Sequence, residues 1–419
     1  MTKIISVIGL GYIGLPTAAL IASNKTTVIG IDVDIRVVDT INSGKIHIVE
    51  TDLEDLVAEV VGEGYLKATT IIESADIFLI AVPTPVNDNN EPDISYIVDA
   101  ARALSPVLKK GDLVILESTS PVGTTEILRD ILKIERSDLV FAEQGMDDSN
   151  NTSDVFIAYC PERVLPGQVL KELVENGRVI GGITKKCSEK AVTFYKSFVQ
   201  GELVVTNSRT AEMTKLTENS FRDVNIAFAN ELSMICDKLD INVWELIDIA
   251  NIHPRVNILK PGAGVGGHCI AVDPWFIVHS TPDIARLIRM ARHVNLKKTE
   301  WVVNKIQEEI ENTTNRNNNK IKIVFCGLSF KPDVDDLRES PSIAIVTRFF
   351  ENKNLDIYVV EPNIDDLPKS LANQCILTTI DKALTLTDIC VVLVDHKEFA
   401  NLEYNEQMHV IDTRGFSNK

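Results

Sequence analysis

Two hydrophobic periods share this chain. Residues 3–8 form a short apolar run that stops at a glycine-rich turn, and apolar residues at helical spacing follow from 15 to 21. A second run, 27–31, ends at Asp32. Short apolar runs bounded by turn residues and followed by helical spacing predict the buried strands of a parallel sheet. The same reading predicts strands at 76–82, 113–117, 155–160 and 179–183. Then the period changes. Residues 210–239 carry a helical pattern with no internal Gly or Pro, and a second long helical region covers 283–311 and includes Trp301. Strands return at 321–326, 355–360, 389–394 and 409–411. Of the polar stretches, 144–154 reads as a surface loop and 312–320 as a linker. The pattern predicts an α/β chain of two Rossmann-like, doubly wound domains joined by a central helical domain. The expected divisions are 1–207, 208–311, the linker 312–320, and 321–419.

Composition narrows the partners. A net charge of −18 argues against a nucleic-acid backbone or an anionic membrane surface, and leaves small anions to be held by local Lys and Arg. The seven cysteines are odd in number and include no Cys-x-x-Cys pair. This argues against a disulfide framework or a structural zinc site and suits a reducing compartment. The first residues enter a strand pattern without a signal-peptide layout, and no apolar run approaches the roughly 20 residues of a membrane span. A cytoplasmic protein is expected.

The first turn reads Gly9-Leu10-Gly11-Tyr12-Ile13-Gly14. Between a strand and a helix, with Asp32 ending the next strand, it is the dinucleotide-binding unit. Gly9 permits the tight turn, Gly11 lets backbone approach a pyrophosphate, and Gly14 allows the helix to pack closely on the strand. Asp32 accepts from a ribose hydroxyl and repels a 2′-phosphate, which favours NAD over NADP. Arg36 follows, to stack on adenine or to be solvated. Thr84, Thr119 and Thr125 lie at or just beyond strand C-terminal ends, as cofactor contacts or as helix caps. Glu162 and Arg163 are adjacent, a surface pair or a substrate-facing one. Lys215 and Asn219 share a helix face at i, i+4, as do Glu218 and Arg222, and an ammonium beside an amide suits a developing oxyanion.

The residues 261–274 read Pro-Gly-Ala-Gly-Val-Gly-Gly-His-Cys-Ile-Ala-Val-Asp-Pro. The glycines deliver Cys269 and, four residues later, Asp273. A thiol beside a proton-moving carboxylate is a candidate nucleophile, with an inert core cysteine as the plain alternative. In the last domain, Gly327-Leu328-Ser329-Phe330-Lys331-Pro332 lacks the three-glycine fingerprint. That domain should bind something other than a whole dinucleotide, with Lys331, Arg338 and Arg414 as anion contacts, for a nucleoside diphosphate among others.

In order, the N-terminal GxGxxG, Lys215-x-x-x-Asn219, Gly266-Gly267-His268-Cys269-x-x-x-Asp273, and Phe330-Lys331-x-Asp333 with Arg338-Glu339-Ser340-Pro341 resemble the UDP-glucose/GDP-mannose dehydrogenase family over nearly the whole chain. Ile46-His47-Ile48-Val49-Glu50, residues 160–167, His253-Pro254-Arg255-Val256-Asn257 and residues 268–276 are most similar to the branch acting on UDP-N-acetyl-D-mannosamine. Pro166 stands where the glucose branch carries a Glu, and Ala263 where relatives usually have Pro. The resemblance implies an NAD-dependent, four-electron oxidation of the sugar C6 alcohol to a uronate through a Cys269 thioester. Lys215 and Asn219 would hold the C6 oxygen, and Asp273 would assist water with Thr119 or Glu162. Gly9, Gly11, Tyr12, Ile13, Gly14, Asp32, Arg36, Thr84, Thr119, Thr125 and Arg338 would contact the cofactor. Arg163, Val164, Lys215, Asn219, Arg222, His253, Arg255, Gly266, Phe330, Lys331 and Arg414 would contact the UDP-sugar, with Arg255 expected to reach over from a neighbouring subunit. No metal is implied, and the central helices are expected to form a homodimer. UDP-N-acetylglucosamine, UDP-glucose or GDP-mannose oxidation, a two-electron hydroxyacid dehydrogenase, and a non-catalytic NAD-binding protein remain alternatives.

Overall fold

β1 (Ile4–Ile8) is buried from Ile5 onward and pairs in parallel with β2 (Thr27–Ile31) on one side and β4 (Ile77–Ile80) on the other. The computed structural model describes residues 3–48, 50–143, 145, 153–164, 167–267, 269–314, 320–400, 402–404 and 408–416. It divides into two compact units, 1–218 with 275–281 and 219–274 with 282–419. The expected surface loop at 144–154 lies largely outside the described residues, as does 315–319 of the expected linker.

The first unit adds β3 (Leu66–Thr69), β5 (Leu113–Leu116), β6 (Phe156–Tyr159), β7 (Arg178–Gly182) and β8 (Leu203–Asn207), in the order β3-β2-β1-β4-β5-β6-β7-β8. Its helices are α1 (Gly14–Ser23), α2 (Ile35–Asn42), α3 (Leu53–Gly62), α4 (Ser95–Leu104), α5 (Thr124–Glu135), α6 (Val169–Glu175) and α7 (Lys185–Tyr195). The strand order reverses at β1, so a crevice opens beyond the ends of β1 and β4 where such sheets take ligands. One feature departs from a continuous parallel rhythm. β7 pairs antiparallel with β6, Ala158 opposite Gly182, and β8 runs parallel to β7. The connection holds only the seven-residue α6, and the chain re-enters the sheet from the end it left rather than crossing over. Gly14 needs its missing side chain: a Cβ there would sit 1.7 Å from the Gly9 carbonyl oxygen.

α8 (Ser208–Lys238) contains the division between the units, and α10 (Asp273–Ser280) contains the second. The second unit holds α9 (Val243–Ala250), α11 (Arg286–Thr314), α12 (Pro341–Thr347) and α13 (Ile380–Leu386). Its all-parallel sheet of β9 (Ile321–Cys326), β10 (Leu355–Val360), β11 (Ile376–Leu377), β12 (Ile389–Val392) and β13 (His409–Asp412) has the order β11-β10-β9-β12-β13. Strand alternation splits its core in two. Ile323 and Phe325 join one cluster, while Val324 and Cys326 join the other. Among the described residues no helix is long and apolar enough to cross a membrane.

A polar cluster lies inside the first sheet. The Tyr195 hydroxyl donates to Glu117 Oε1 at 2.6 Å, and Glu117 Oε2 has no hydrogen-bond partner among the described residues. Burial pushes the Glu117 carboxyl up to about 7, against the pull of the Arg178 guanidinium. Because the folded-state value is raised, its contribution to stability is complete below the ordinary value of 4.5 and is lost as pH rises through about 7. Glu117→Gln keeps an acceptor for Tyr195 and carries no charge. Relative to wild type it should gain roughly 3 kcal/mol at pH 8 and almost nothing at pH 4.5. Denaturant unfolding at the two pH values checks this.

Candidate active site

The first turn is closed by its own acid. Leu10 N donates to Asp32 Oδ2 at 3.0 Å, Gly9 N donates to Ile31 O at 2.8 Å, and Asp34 N donates to Asp32 Oδ1 at 3.0 Å. The N-cap of α1 is Ile13, a side chain that accepts nothing, so the first amides of the helix suit an anion. A Cβ at Gly11 would meet nothing within 4 Å. Tyr12, Ile13 and Asp32 are half-buried around this turn. The donor set and open backbone fit a dinucleotide pyrophosphate with a ribose at Asp32.

The other expected cofactor residues divide. The Thr84 hydroxyl donates to Thr119 O at 2.5 Å, which joins two of them across the ends of β4 and β5. Thr125 is fully buried, and its hydroxyl and amide both donate to Glu212 Oε1, at 2.6 and 2.8 Å, while Gly123 N donates to Glu212 Oε2. Glu212, reaching in from α8, and not the Thr125 hydroxyl takes these amides at the start of α5. Arg36 makes a fork onto Asp34, Nη2 to Oδ2 at 2.6 Å, and this holds the Asp34 carboxyl down at about 2. Arg338 makes the same fork onto Asp336, Nη2 to Oδ2 at 2.6 Å.

Glu162 and Arg163 part company. Glu162 Oε2 takes Arg178 Nη1 at 2.8 Å in a buried pair, and its Oε1 takes the Arg163 amide. Arg163 instead grips Glu218, Nη2 to Oε1 at 2.6 Å and Nε to Oε2 at 3.1 Å. This corrects the helix-face pairing of Glu218 with Arg222. A planar fork held 55 residues away in sequence takes both carboxylate oxygens. Val164 beside it is half-buried. Glu50 accepts from Gly167 N and Val169 N at 2.8 and 2.9 Å, so two of the segments that carried the resemblance are bonded to each other.

In the second unit the cysteine loop runs into a helix. Asp273 N donates to Cys269 O at 2.9 Å, which puts Cys269 and Asp273 one helical turn apart on one face. Cys269 is exposed and outside any disulfide, while Asp273 is buried. Asn219 Nδ2 donates to Asp273 Oδ2 at 2.5 Å. That bond fixes one oxygen of the carboxylate. Lys215, one turn earlier on α8, is half-buried in the first unit. Arg222, His253 and Arg255 are exposed, and Arg255 N donates to His253 Nδ1 at 3.3 Å.

The loop is held from outside. Gly262 N donates to Asn230 Oδ1 at 2.9 Å, and Thr299 Oγ1 donates to Ala263 O at 3.0 Å. Asn230 Nδ2 donates to Asn295 Oδ1 at 2.9 Å, Asn295 Nδ2 to Asp223 Oδ1 at 2.7 Å, and Arg292 Nη1 to the same oxygen at 2.5 Å. Arg414 pairs with Asp395 and lies 3.4 Å from Pro261 O. A Cβ at Gly266 would lie 2.5 Å from Glu339 O and 3.1 Å from Phe330 Cβ. Phe330, and with it the Lys331 loop, therefore packs directly against the glycines before Cys269.

Residues 3–199 match the NAD binding domain of the UDP-glucose/GDP-mannose dehydrogenase family, 209–297 its central domain and 324–419 its UDP binding domain. The chain belongs to that family. It is an NAD-dependent UDP-sugar dehydrogenase. A UDP-N-acetyl-D-mannosamine dehydrogenase of Campylobacter jejuni is 60% identical over 402 residues, 95% of this chain and 97% of that protein. An NDP-N-acetyl-D-galactosaminuronic acid dehydrogenase of Ralstonia nicotianae is 57% identical over 416 residues, 99% and 96% of the two chains. The solved UDP-N-acetyl-mannosamine dehydrogenase of Staphylococcus aureus superposes with a TM-score of 0.84 at 36% identity, covering 99% of each chain.

Sequence reasoning missed Glu212, Asn230, Asp223, Arg292, Glu361 and His396. Glu361 had a signal, since it ends β10 as Asp32 ends β2. The others announce themselves only as polar residues inside apolar stretches. Gly266→Ala drives a methyl group into the Glu339 carbonyl and Pro341. It should cost about 1–3 kcal/mol and lower turnover with it, read by a thermal melt and an NADH assay on the same preparation.

Proposed function

We propose that this enzyme oxidises UDP-N-acetyl-D-mannosamine at C6 to UDP-N-acetyl-D-mannosaminuronate through a thioester on Cys269. The observation that carries the mechanism is the hydrogen bond from Asn219 to Asp273, one helical turn from Cys269. The sugar is supported by the names of the relatives and by the segments around Glu50, Arg163 and His253. Residues 1–207, 208–311 and 321–419 are read as the NAD, central and UDP-sugar domains, with 312–320 as linker, in a cytoplasmic protein.

NAD, held by the Gly9–Gly14 turn and Asp32, supplies the hydride acceptor for both oxidations. Lys215 and Asn219 donate to the C6 oxygen as it becomes an alkoxide and, later, a tetrahedral oxyanion. The alcohol loses a hydride and a proton to give an aldehyde. Cys269 Sγ then forms a bond to C6, and the resulting hemithioacetal loses a second hydride and a proton to leave a thioester. Asp273 removes a proton from water as water attacks C6, and the C6–S bond breaks to return the thiolate. Thr119 or Glu162 helps to position that water. In balance, one alcohol, one water and two NAD⁺ give one carboxylate, two NADH and three protons. Arg163, Arg222, His253, Arg255, Lys331, Phe330 and Arg414 hold the sugar and diphosphate.

Two NADH should form per UDP-N-acetyl-D-mannosamine consumed, and Cys269→Ser should lose at least 1,000-fold in turnover, on the order expected for a covalent nucleophile. The N-acetylglucosamine, N-acetylgalactosamine and glucose nucleotides run in parallel read the specificity. A single NADH, or an unimpaired variant, would leave a simple alcohol dehydrogenase.

A homodimer through the central helices is proposed from α8. Phe221, Phe228 and Ile235 recur every seven residues on one face and are 70, 55 and 48% exposed. Such a stripe is unfavourable in water unless a second copy covers it. Phe228→Asp should convert a dimer to a monomer in sedimentation velocity without unfolding the chain, while an unchanged sedimentation coefficient would place the interface elsewhere.

A further inference from the structure

The last domain repeats the turn of the first, with its acid spent differently. Gly327 N donates to Val360 O at 2.8 Å, as Gly9 N does to Ile31 O, and Leu328 N donates to Glu361 Oε2 at 2.7 Å, as Leu10 N does to Asp32. Ser329 N adds a second donor to Glu361 Oε2 at 3.0 Å. Asp32 is half-buried, whereas Glu361 is buried and faces the fully buried His396, whose Nε2 lies 3.1 Å from Oε2. Where a ribose hydroxyl donates to the acid in a dinucleotide turn, an imidazole N–H donates here.

The imidazole has a fixed tautomer. Asp333 N donates to His396 Nδ1 at 3.0 Å, and Asn363 Nδ2 stands 3.1 Å from the same nitrogen. A nitrogen facing two N–H donors carries no proton, so Nε2 carries it and gives it to Glu361, with Ser329 Oγ 3.3 Å away. Asp333, His396 and Glu398 do bring three ligand-type atoms within 4.8 Å of one another. The Nδ1 lone pair is already engaged, which leaves a cation nothing to bind on the histidine.

What Nδ1 holds matters. Asp333 has a left-handed backbone, φ 58°, a conformation uncommon outside glycine though tolerated by Asp, and its amide is held there by His396 Nδ1. The four residues before it are Ser329, Phe330, Lys331 and Pro332, and the Ser329 hydroxyl donates to Lys331 O at 2.7 Å. The loop is thus pinned at its start by Glu361 and at its end by His396. Phe330, between the pins, lies against Gly266 and Gly267: a Cβ at Gly267 would sit 3.1 Å from the ring.

We propose that His396 is a positioning residue. Its Nδ1 fixes the end of the Phe330–Asp333 loop, and through Phe330 it sets the glycine loop that carries Cys269. Its Nε2 serves a separate purpose, satisfying the buried Glu361. The part concerning Lys331 rests on the assignment of that residue to the UDP-sugar, whereas the part concerning Cys269 does not.

Two substitutions separate the nitrogens. Gln sets an amide N–H near the Nε2 position and leaves Asp333 N without its acceptor. Asn sets a carbonyl oxygen near Nδ1 and leaves Glu361 without its donor. In the full chain, His396→Gln should keep the melting temperature close to wild type while weakening UDP about tenfold, the worth of one hydrogen bond. It should also change the rate at which iodoacetamide alkylates Cys269, the exposed thiol of the seven. His396→Asn should do the reverse, melting lower while holding UDP and the alkylation rate nearer to wild type. The alkylation rate needs no nucleotide, so a wild-type chain that fails to bind UDP would sink the substrate reading and leave this one to be decided by the thiol. A His396→Gln variant with wild-type UDP affinity and alkylation would overturn the proposal. So would one that melts as low as, or fails to fold like, the Asn variant.

Discussion

A loop rich in glycine has few side chains with which to position itself, and Cys269, the proposed nucleophile, sits at the end of one. The rest of the second unit is arranged around that constraint. Four of the seven residues 261–267 are glycine, and the neighbours grip their backbone: Asn230 at the Gly262 amide, Thr299 at the Ala263 carbonyl, Phe330 and Pro341 against the bare α-carbon of Gly266. Glycine is required because the neighbours come within bonding range of where a side chain would begin, and it costs extra backbone entropy on folding. Behind Asn230 stands a buried polar network. Asp223 and Arg292 form a buried ion pair between α8 and α11, with burial pushing the Asp223 carboxyl up against the pull of Arg292. Such a pair adds little net stability, but removing one partner strands the other at a cost of about 3–5 kcal/mol. Its value is fixed geometry, passed through Asn295 and Asn230 to the loop.

The two Rossmann-like turns show how one local design yields two chemistries. In each, a glycine amide closes onto the neighbouring strand and the next amide reaches a strand-end carboxylate. What differs is the remaining capacity of the acid. Asp32 is half-buried, takes two short-range amides and keeps lone pairs toward the crevice. Glu361 has two amides and an imidazole on one oxygen, and its other oxygen faces Asn363 at 3.2 Å. Burial alone would raise the Glu361 carboxyl, yet these donors hold it below the ordinary value. The second turn is therefore a closed piece of structure, and the nucleotide of that domain has to be met by the residues after it.

Most strands, both long helices and both glycine motifs were legible because each depends on residues close in sequence: period, turn and spacing; β3, β8 and β11, on the outer edges of their sheets, were not read. The cysteine-to-carboxylate interval is of this kind, since four residues in a helical turn fix their own geometry. The partners of charged groups were not legible. Glu218 has Arg222 at helical spacing but takes Arg163, and Thr125 reads as a ligand contact but gives its hydroxyl to Glu212 on another element. Nothing in a linear pattern ranks a partner four residues away below one that arrives from a loop. The reversal of β7 was hidden for a similar reason, because strand direction depends on the path of the connection and not on the strand. Arg36 and Arg338 are the instructive middle case. Both sit two residues after an aspartate, and both fold back on it with the same amide and guanidinium contacts.

This pairing bears on how a protein of charge −18 binds a doubly charged diphosphate. Three arginines expected near nucleotide or sugar phosphates already face carboxylates: Arg163 with Glu218, Arg338 with Asp336 and Arg414 with Asp395. A guanidinium offers five donors in a fixed fork, so a phosphate can share it or displace the carboxylate, but in neither case is the whole charge-assisted bond a net gain. The resident carboxylates hold each fork in place, which lowers the entropic cost of ordering a long side chain when the ligand arrives. They also lower the affinity for any lone phosphate, because the anion only exchanges one charged partner of the guanidinium for another.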